Sequence, residues 1–191
     1  MPDPLPQADG AGSPASPDCQ SVTILGDPAL LEQPLLALVC SRRLPPRLVL
    51  PAYDLACALR DAGRPVCGGF QTPVERDCLG FLLAGAQPVV VCPARGVAGM
   101  RLPAPWREAV RAGRLAVASP FPPGQRRATG ELADARNDWL AALCAGAVAV
   151  HAAPGGGTER FCRAVLAAGK PLWTLDDPAN AALLALGAET W

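Results

Sequence analysis

Short, wholly apolar runs alternate along the chain with longer stretches that are apolar on one side only, and glycine marks most of the joins. Residues 35–40, 65–67, 88–92, 115–119, 147–152 and 171–175 are rich in Val, Leu and Ala without polar alternation. Continuous runs of this kind predict strands buried on both faces. Between them, residues 51–62 place Leu55, Ala58 and Leu59 on one helical face. Thr72, Pro73 and Glu75 have the spacing of a capping box with proline at the first helical position, opening a helix that runs toward Gly85. Further helices are predicted over residues 105–112, through Trp139 to Gly146, over 158–168, and from an Asp177-Pro178 cap to Gly187. Five of these helices are expected to close on Gly63, Gly85, Gly113, Gly146 and Gly169, each leading within a few residues to a strand. Residues 22–34, with Gly26, Asp27 and Pro28, predict a short capped helix before the first strand.

Alternating strands and helices with buried strands define an α/β fold: a doubly wound, mainly parallel sheet of about six strands with helices on both faces. Residues 1–20 are Pro, Ala, Ser, Gly and Asp, too poor in apolar content to join a core, and are expected to form a disordered tail. Residues 21–191 then form the one domain.

In such a fold ligands sit beyond the carboxyl ends of the strands, where strand order reverses. The loops expected there carry Ser41, Arg42 and Arg43; Gly68 and Gly69; Arg95; Arg126 and Arg127; and Gly155, Gly156, Gly157 and Thr158. The stretch from Ala128 to Glu159 organises them. It starts polar, with Arg136 and Asn137, turns apolar, and ends in three glycines feeding a helix. A glycine loop between a strand and a helix N-terminus offers unpaired N–H groups to an anion, and arginine offers planar donor pairs. The pattern predicts a site for a phosphate-bearing ligand, a nucleotide or a strand of nucleic acid. Phe70, Phe121 and Trp106 are the aromatic residues near enough to stack on a base.

Composition narrows the chemistry. The chain has 17 Lys+Arg and 17 Asp+Glu. Every acid before Ser41 precedes the first base, Arg42, which leaves 17 bases against 12 acids in the remainder. That excess suits a phosphate ligand but not a surface coated by nucleic acid. Eight cysteines without C-x-x-C spacing and a single histidine, His151, give no metal site and no cofactor. No Ser/His/Asp or Cys/His set is placed together, so no catalytic residue is assigned. His151 reads as packing. Asp134 and Asp138, four apart on one helix, read as a solvent face. The uncharged stretch 139–157 is broken by Gly146, His151 and Pro154 and reads as helix plus strand, not a membrane span. The acidic, Pro-rich start has no apolar leader segment, so reduced thiols and a cytoplasmic location are expected.

The order Leu25-Gly26-Asp27-Pro28, Cys40-Ser41-Arg42-Arg43, Gly68-Gly69, Ser119-Pro120-Phe121, Ala135-Arg136-Asn137, the glycine loop, Asn180 and Gly187-Ala188 resembles the DNA-processing protein A (DprA, also Smf) family. That family has a Rossmann-like core within the SLOG superfamily. The resemblance runs from about Ser21 to Ala188 and implies a divergent, single-domain member. It implies single-stranded DNA binding, a homodimer, and a recombinase partner in natural transformation, without catalysis. Ser41 and Arg42 match a family Gly-Ser-Arg, with Cys40 in the glycine's place. Gly68 and Gly69 match its second glycine turn, with Gln71-Thr72-Pro73-Val74-Glu75 where Gly-Ile-Asp and His usually follow. Arg136 and Asn137 match an Arg-Asn-Arg motif, with Asp138 in place of the last arginine. An alternative within the superfamily is a nucleotide-sensing protein or a LOG-type phosphoribohydrolase, which carries Pro-Gly-Gly-x-Gly-Thr-x-x-Glu. Residues 154–159 are one residue short of that motif, and Glu159 falls early.

Overall fold

A computed structural model of the chain describes residues 22–191; the predicted tail lies outside them. Eight strands form one sheet: β1 (Thr23–Leu25), β2 (Leu36–Cys40), β3 (Val66–Gly68), β4 (Val89–Val91), β5 (Leu115–Ser119), β6 (Gly146–His151), β7 (Leu172–Thr174) and β8 (Glu189–Thr190). Six helices accompany them: α1 (Val49–Asp61), α2 (Pro73–Leu83), α3 (Ala104–Arg111), α4 (Gly130–Leu143), α5 (Gly157–Ala167) and α6 (Ala181–Ala185). The spatial order is β1-β5-β4-β3-β2-β6-β7-β8, parallel except where β1 runs against β5.

The sheet has eight strands where about six were expected. The two additions are its edges. β1 is three residues long and β8 two, too short to leave a recognisable run. β1 also corrects the reading of residues 22–34. The capped helix is there, as a 3₁₀ turn over Pro28–Glu32 with Asp27 accepting from the Ala29 N–H, but a strand precedes it.

Each face of the sheet buries its own apolar layer. On one, Leu55, Leu59, Leu79, Leu82 and Ala109 from α1, α2 and α3 cover Leu36, Leu38, Val66 and Val89. On the other, Leu140, Phe161, Val165 and Leu183 from α4, α5 and α6 cover Leu35, Ala37, Cys67, Ala147 and Leu172. Each such Leu, Val or Phe contributes about 1.5–3 kcal/mol when withdrawn from water. Two-sided burial explains why the strands lack polar alternation.

Gly63, Gly113, Gly169 and Gly187 follow helices with positive φ, as expected of C-terminal glycines. Gly146 does not. α4 stops at Leu143, and Gly146 is the first residue of β6. Its absent side chain admits Pro171 and Trp173, which a Cβ would meet at 3.0–3.2 Å. Gly85 also lacks positive φ, and its space is filled by Gln87 and Arg60.

The order reverses between β2 and β6. From β2 the chain steps outward through β3, β4 and β5, then returns to β2's other side for β6 and continues outward to β7. A register shift at Val39/Cys40 pairs Cys40 with His151 and ends the β2–β6 ladder. Bulges of this kind redirect the residues that follow.

Candidate anion-binding cleft

A cleft of about 400 Å³ opens at this reversal, beyond the carboxyl ends of β2, β3 and β6. Ser41, Arg42, Arg43, Gly69, Arg136, Asn137, Gly156, Gly157 and Thr158 line it. Gly68, Gly155, Arg95, Arg126 and Arg127 do not. Gly68 is the last residue of β3, enclosed by the Leu38 carbonyl and the Phe70 ring. Gly155 stands just outside, with its N–H donated to Glu159 Oε2. Arg95 lies further along the edge, in the loop after β4.

Two helices point their N-termini at the cleft, and they differ. At α5 the cap residue is Gly156, which has no side chain to bond the first turn. Among the described residues, the N–H groups of Gly157, Thr158 and Glu159 have no acceptor in the chain. Three orphan donors and the positive end of the helix dipole therefore remain open. At α2 the chain supplies its own acceptors, leaving of the first-turn N–H groups only that of Val74 without one within the described residues. The Glu75 carboxylate is buried; Oε2 accepts from the Gln71 and Thr72 N–H groups at 2.9 and 3.0 Å, and Oε1 accepts from the Cys40 N–H at 2.8 Å. Thr72 Oγ1 returns the bond by accepting from the Glu75 N–H. The capping box read from the sequence is present, and its carboxylate also reaches across to the end of β2. The second glycine turn is thus filled by the chain's own anion.

Arg136 forms the floor. Only 7% of its surface is exposed. Nη1 donates to the Cys92 carbonyl at 2.7 Å and Nε to Asn137 Oδ1 at 2.9 Å, while Nη2 makes no hydrogen bond within the described residues. Burial pushes the guanidinium below its usual range, the nearby Glu75 carboxylate opposing, and arginine stays protonated at neutral pH. Asn137 also donates Nδ2–H to the Gly157 carbonyl, tying α4 to the glycine loop. Gly69 is required here: a Cβ on it would lie under 3.0 Å from the Arg136 Nη1, Cζ and Nη2 atoms. Phe70 follows with φ of +46°, a left-handed conformation unusual for an aromatic residue, its ring buried beneath Gly68.

Ser41 stitches the two sides of the reversal. Its N–H donates to the His151 carbonyl, and its Oγ accepts from the Ala153 N–H at 2.8 Å. Arg42 and Arg43 are exposed at the rim. Asp134 lines the cleft but is paired with Arg160, so it forms no carboxylate pair with Asp138. His151 is buried, with Nδ1 2.9 Å from Asn180 Oδ1. Asn180 spends its own N–H groups on the Val150 and Leu175 carbonyls, so the histidine is the donor of that bond and serves packing. Of the aromatic residues considered for stacking, Phe70 and Phe121 are buried and Trp106 is half-buried. Among the described residues no group of three metal-ligating side chains occurs, and no helix is long and apolar enough to cross a membrane.

Fold and cleft define a Rossmann-like α/β domain with a cleft at the reversal of strand order. No protein-family model and no curated protein matches the sequence. Solved structures do match the fold. DNA processing protein A from Helicobacter pylori, described for its single-stranded DNA binding mode, is 20% identical with a TM-score of 0.74, over 90% of this chain and 81% of that one. DNA processing protein A from Streptococcus pneumoniae is 18% identical with a TM-score of 0.73, over 89% of this chain but 62% of that one. The molybdenum cofactor binding protein of Rippkaea orientalis is 15% identical with a TM-score of 0.57, over 83% of this chain and 88% of that one. The domain therefore shares the DprA fold that the motif order had suggested.

Proposed function

We propose that this chain is a DprA-like protein that binds single-stranded DNA by its phosphates at the cleft, without catalysing a reaction on it. One observation carries the reading: the open first turn of α5 faces the same hollow as the buried, still donor-competent Arg136. A phosphate placed there gains charge-assisted bonds from both, with Arg42 and Arg43 at the rim and Thr158 beside it. The sharing of fold with two DNA processing A proteins supports the choice of ligand. A homodimer, a recombinase partner and a cytoplasmic setting follow from the same resemblance.

In the phosphoribohydrolase alternative the glutamate of the glycine-loop motif serves as the catalytic acid. Glu159 instead accepts from the Gly155 N–H and pairs with Arg163. The Gly155 N–H first, and then Arg163, hold its carboxyl below the usual range, so it is a poor proton donor.

The test is fluorescence anisotropy with labelled oligothymidylate at low salt, for the wild type and for Arg42→Ala and Arg136→Ala. Salt-sensitive binding weakened by both variants is expected. Absence of binding at low salt, or release of free base from AMP, overturns the proposal.

A further inference from the structure

The arginines are distributed unevenly between the two edges of the sheet. At the edge where the strands begin, Arg114 donates to the Leu83 and Gly85 carbonyls and Lys170 to the Ala141 and Ala142 carbonyls. Those bases cap the ends of α2 and α4. Arg64 and Arg111 near that edge make no such bond within the described residues, and at the carboxyl edge Arg47 is paired with Asp177. Arg42 and Arg43 after β2, Arg95 and Arg101 after β4, and Arg126 and Arg127 after β5 make no side-chain hydrogen bond and no ion pair within the described residues. All are exposed except Arg95, which is half-buried.

The acids complete the contrast. The loops after β2, β3, β4 and β5 (residues 41–45, 69–72, 92–103 and 120–129) contain none. The loop after β7 carries Asp176 and Asp177, the latter paired with Arg47. Apart from Glu75, buried and bonded to backbone N–H groups, and Asp134, paired with Arg160, the carboxyl edge is therefore basic from β2 to β5, while beyond β6 Asp176 stands without an ion pair within the described residues. The β4 and β5 loops are bound together, the Gly96 N–H donating to the Gln125 carbonyl at 2.7 Å, so their arginines form one surface.

We infer that this edge is a one-sided track for a single-stranded polynucleotide, which leaves the cleft toward β5 and is turned away from β7. This rests on the phosphate reading of the cleft and adds a direction and a length. Three inter-strand steps put the β5 loop roughly 14 Å from β2. At a stacked rise of 3.4 Å per nucleotide, the track spans about four nucleotides beyond the cleft. With Phe70 and Phe121 buried, no stacking platform lies along it, so contact is to phosphates and is indifferent to base identity.

The experiment compares Arg126→Ala/Arg127→Ala with Arg42→Ala on two probes. One is labelled oligothymidylate, by anisotropy across a salt series. The other is inorganic phosphate, by thermal shift. The track variant is expected to weaken the long oligonucleotide about tenfold and to flatten the plot of log K against log salt by about 1.4, two phosphate contacts at ~0.7 each. Its response to inorganic phosphate stays that of the wild type, and Arg126→Lys/Arg127→Lys restores the slope. Asp176→Lys strengthens oligonucleotide binding by less than twofold. If Arg42→Ala weakens both probes while the Arg126/Arg127 variant leaves slope and affinity unchanged, the track is overturned and the cleft stands. If the wild type responds to neither probe, the cleft reading falls and takes the track with it.

Discussion

Glu75→Gln is the most informative single change, because it removes a charge while keeping the side chain's shape. The native carboxylate accepts three backbone N–H groups, from Cys40, Gln71 and Thr72. An amide has one oxygen. Its NH₂ must face at least one N–H that has lost its acceptor in a buried place. A hydrogen bond to a charged acceptor contributes about 1.5–3 kcal/mol. Weakening the reciprocal cap at Thr72 costs about another 1 kcal/mol. Glu75→Gln should therefore lower unfolding free energy by about 2.5–4 kcal/mol, against the 5–15 kcal/mol typical of a domain. Urea unfolding followed by tryptophan fluorescence reads this directly. The second half of the prediction concerns anions. With the charge gone, the cleft that Glu75 lines loses a negative group, and added phosphate should stabilise Glu75→Gln more than the wild type. At a phosphate concentration 100 times the dissociation constant the gain is about 2.7 kcal/mol per site. A loss below about 0.5 kcal/mol, the scatter of ordinary surface changes, would show that the carboxylate does not hold this turn. Equal phosphate stabilisation of the two proteins would show that the Glu75 charge does not oppose an anion in the cleft.

Gly69→Ala should displace the Arg136 guanidinium from the Cys92 carbonyl, costing about 2–4 kcal/mol by urea unfolding and abolishing phosphate-induced thermal shift. Arg42→Ala, exposed at the rim, should leave stability within about 0.5 kcal/mol yet reduce the oligonucleotide salt slope by about 0.7. Glu159 has its folded-state pKa depressed by the Gly155 N–H and Arg163, so its contribution is complete above its ordinary value of 4.5 and is lost as pH falls through the lower folded value. Glu159→Gln should flatten the decline of stability below about pH 4.5 in acid titration of the unfolding midpoint; an unchanged profile would refute this. Burial pushes Cys40, Cys78, Cys92 and Cys162 up to about 12 and Cys144 to about 11. Among the described residues, native thiol labelling should thus be fast only at the half-buried Cys57, the others reacting on unfolding. Rapid native labelling of Cys40 would contradict the closed floor of the cleft.

The features legible in the sequence are those with a local cause. Continuous apolar runs gave β2 and β5 almost to the residue, and the Thr72–Glu75 spacing gave a real capping box. Gly146 misled because a glycine after a helical pattern looks the same whether it ends the helix or lets Pro171 and Trp173 close on a strand. β1 and β8 were not visible because two or three residues carry no period. The cleft was legible as a set of loops, since strand polarity alone assigns loops to an edge. What no spacing could reveal is the second function of Glu75, which bonds Cys40 from 35 residues away. Nor could it reveal that Arg95 stands apart while Arg136 is drawn under Gly69; both depend on how the β4 loop packs.

The bond from the Ala153 N–H to Ser41 Oγ joins groups 112 residues apart in the chain. During synthesis β2 emerges early, yet its second neighbour, β6, comes only after β3, β4 and β5 have been made. Until then one flank of the central strand stays bare, an invitation to mispairing between nascent chains. The pocket thus comes into being only after β6 and the start of α5 have been made, and its occupancy reports that the centre of the sheet has closed.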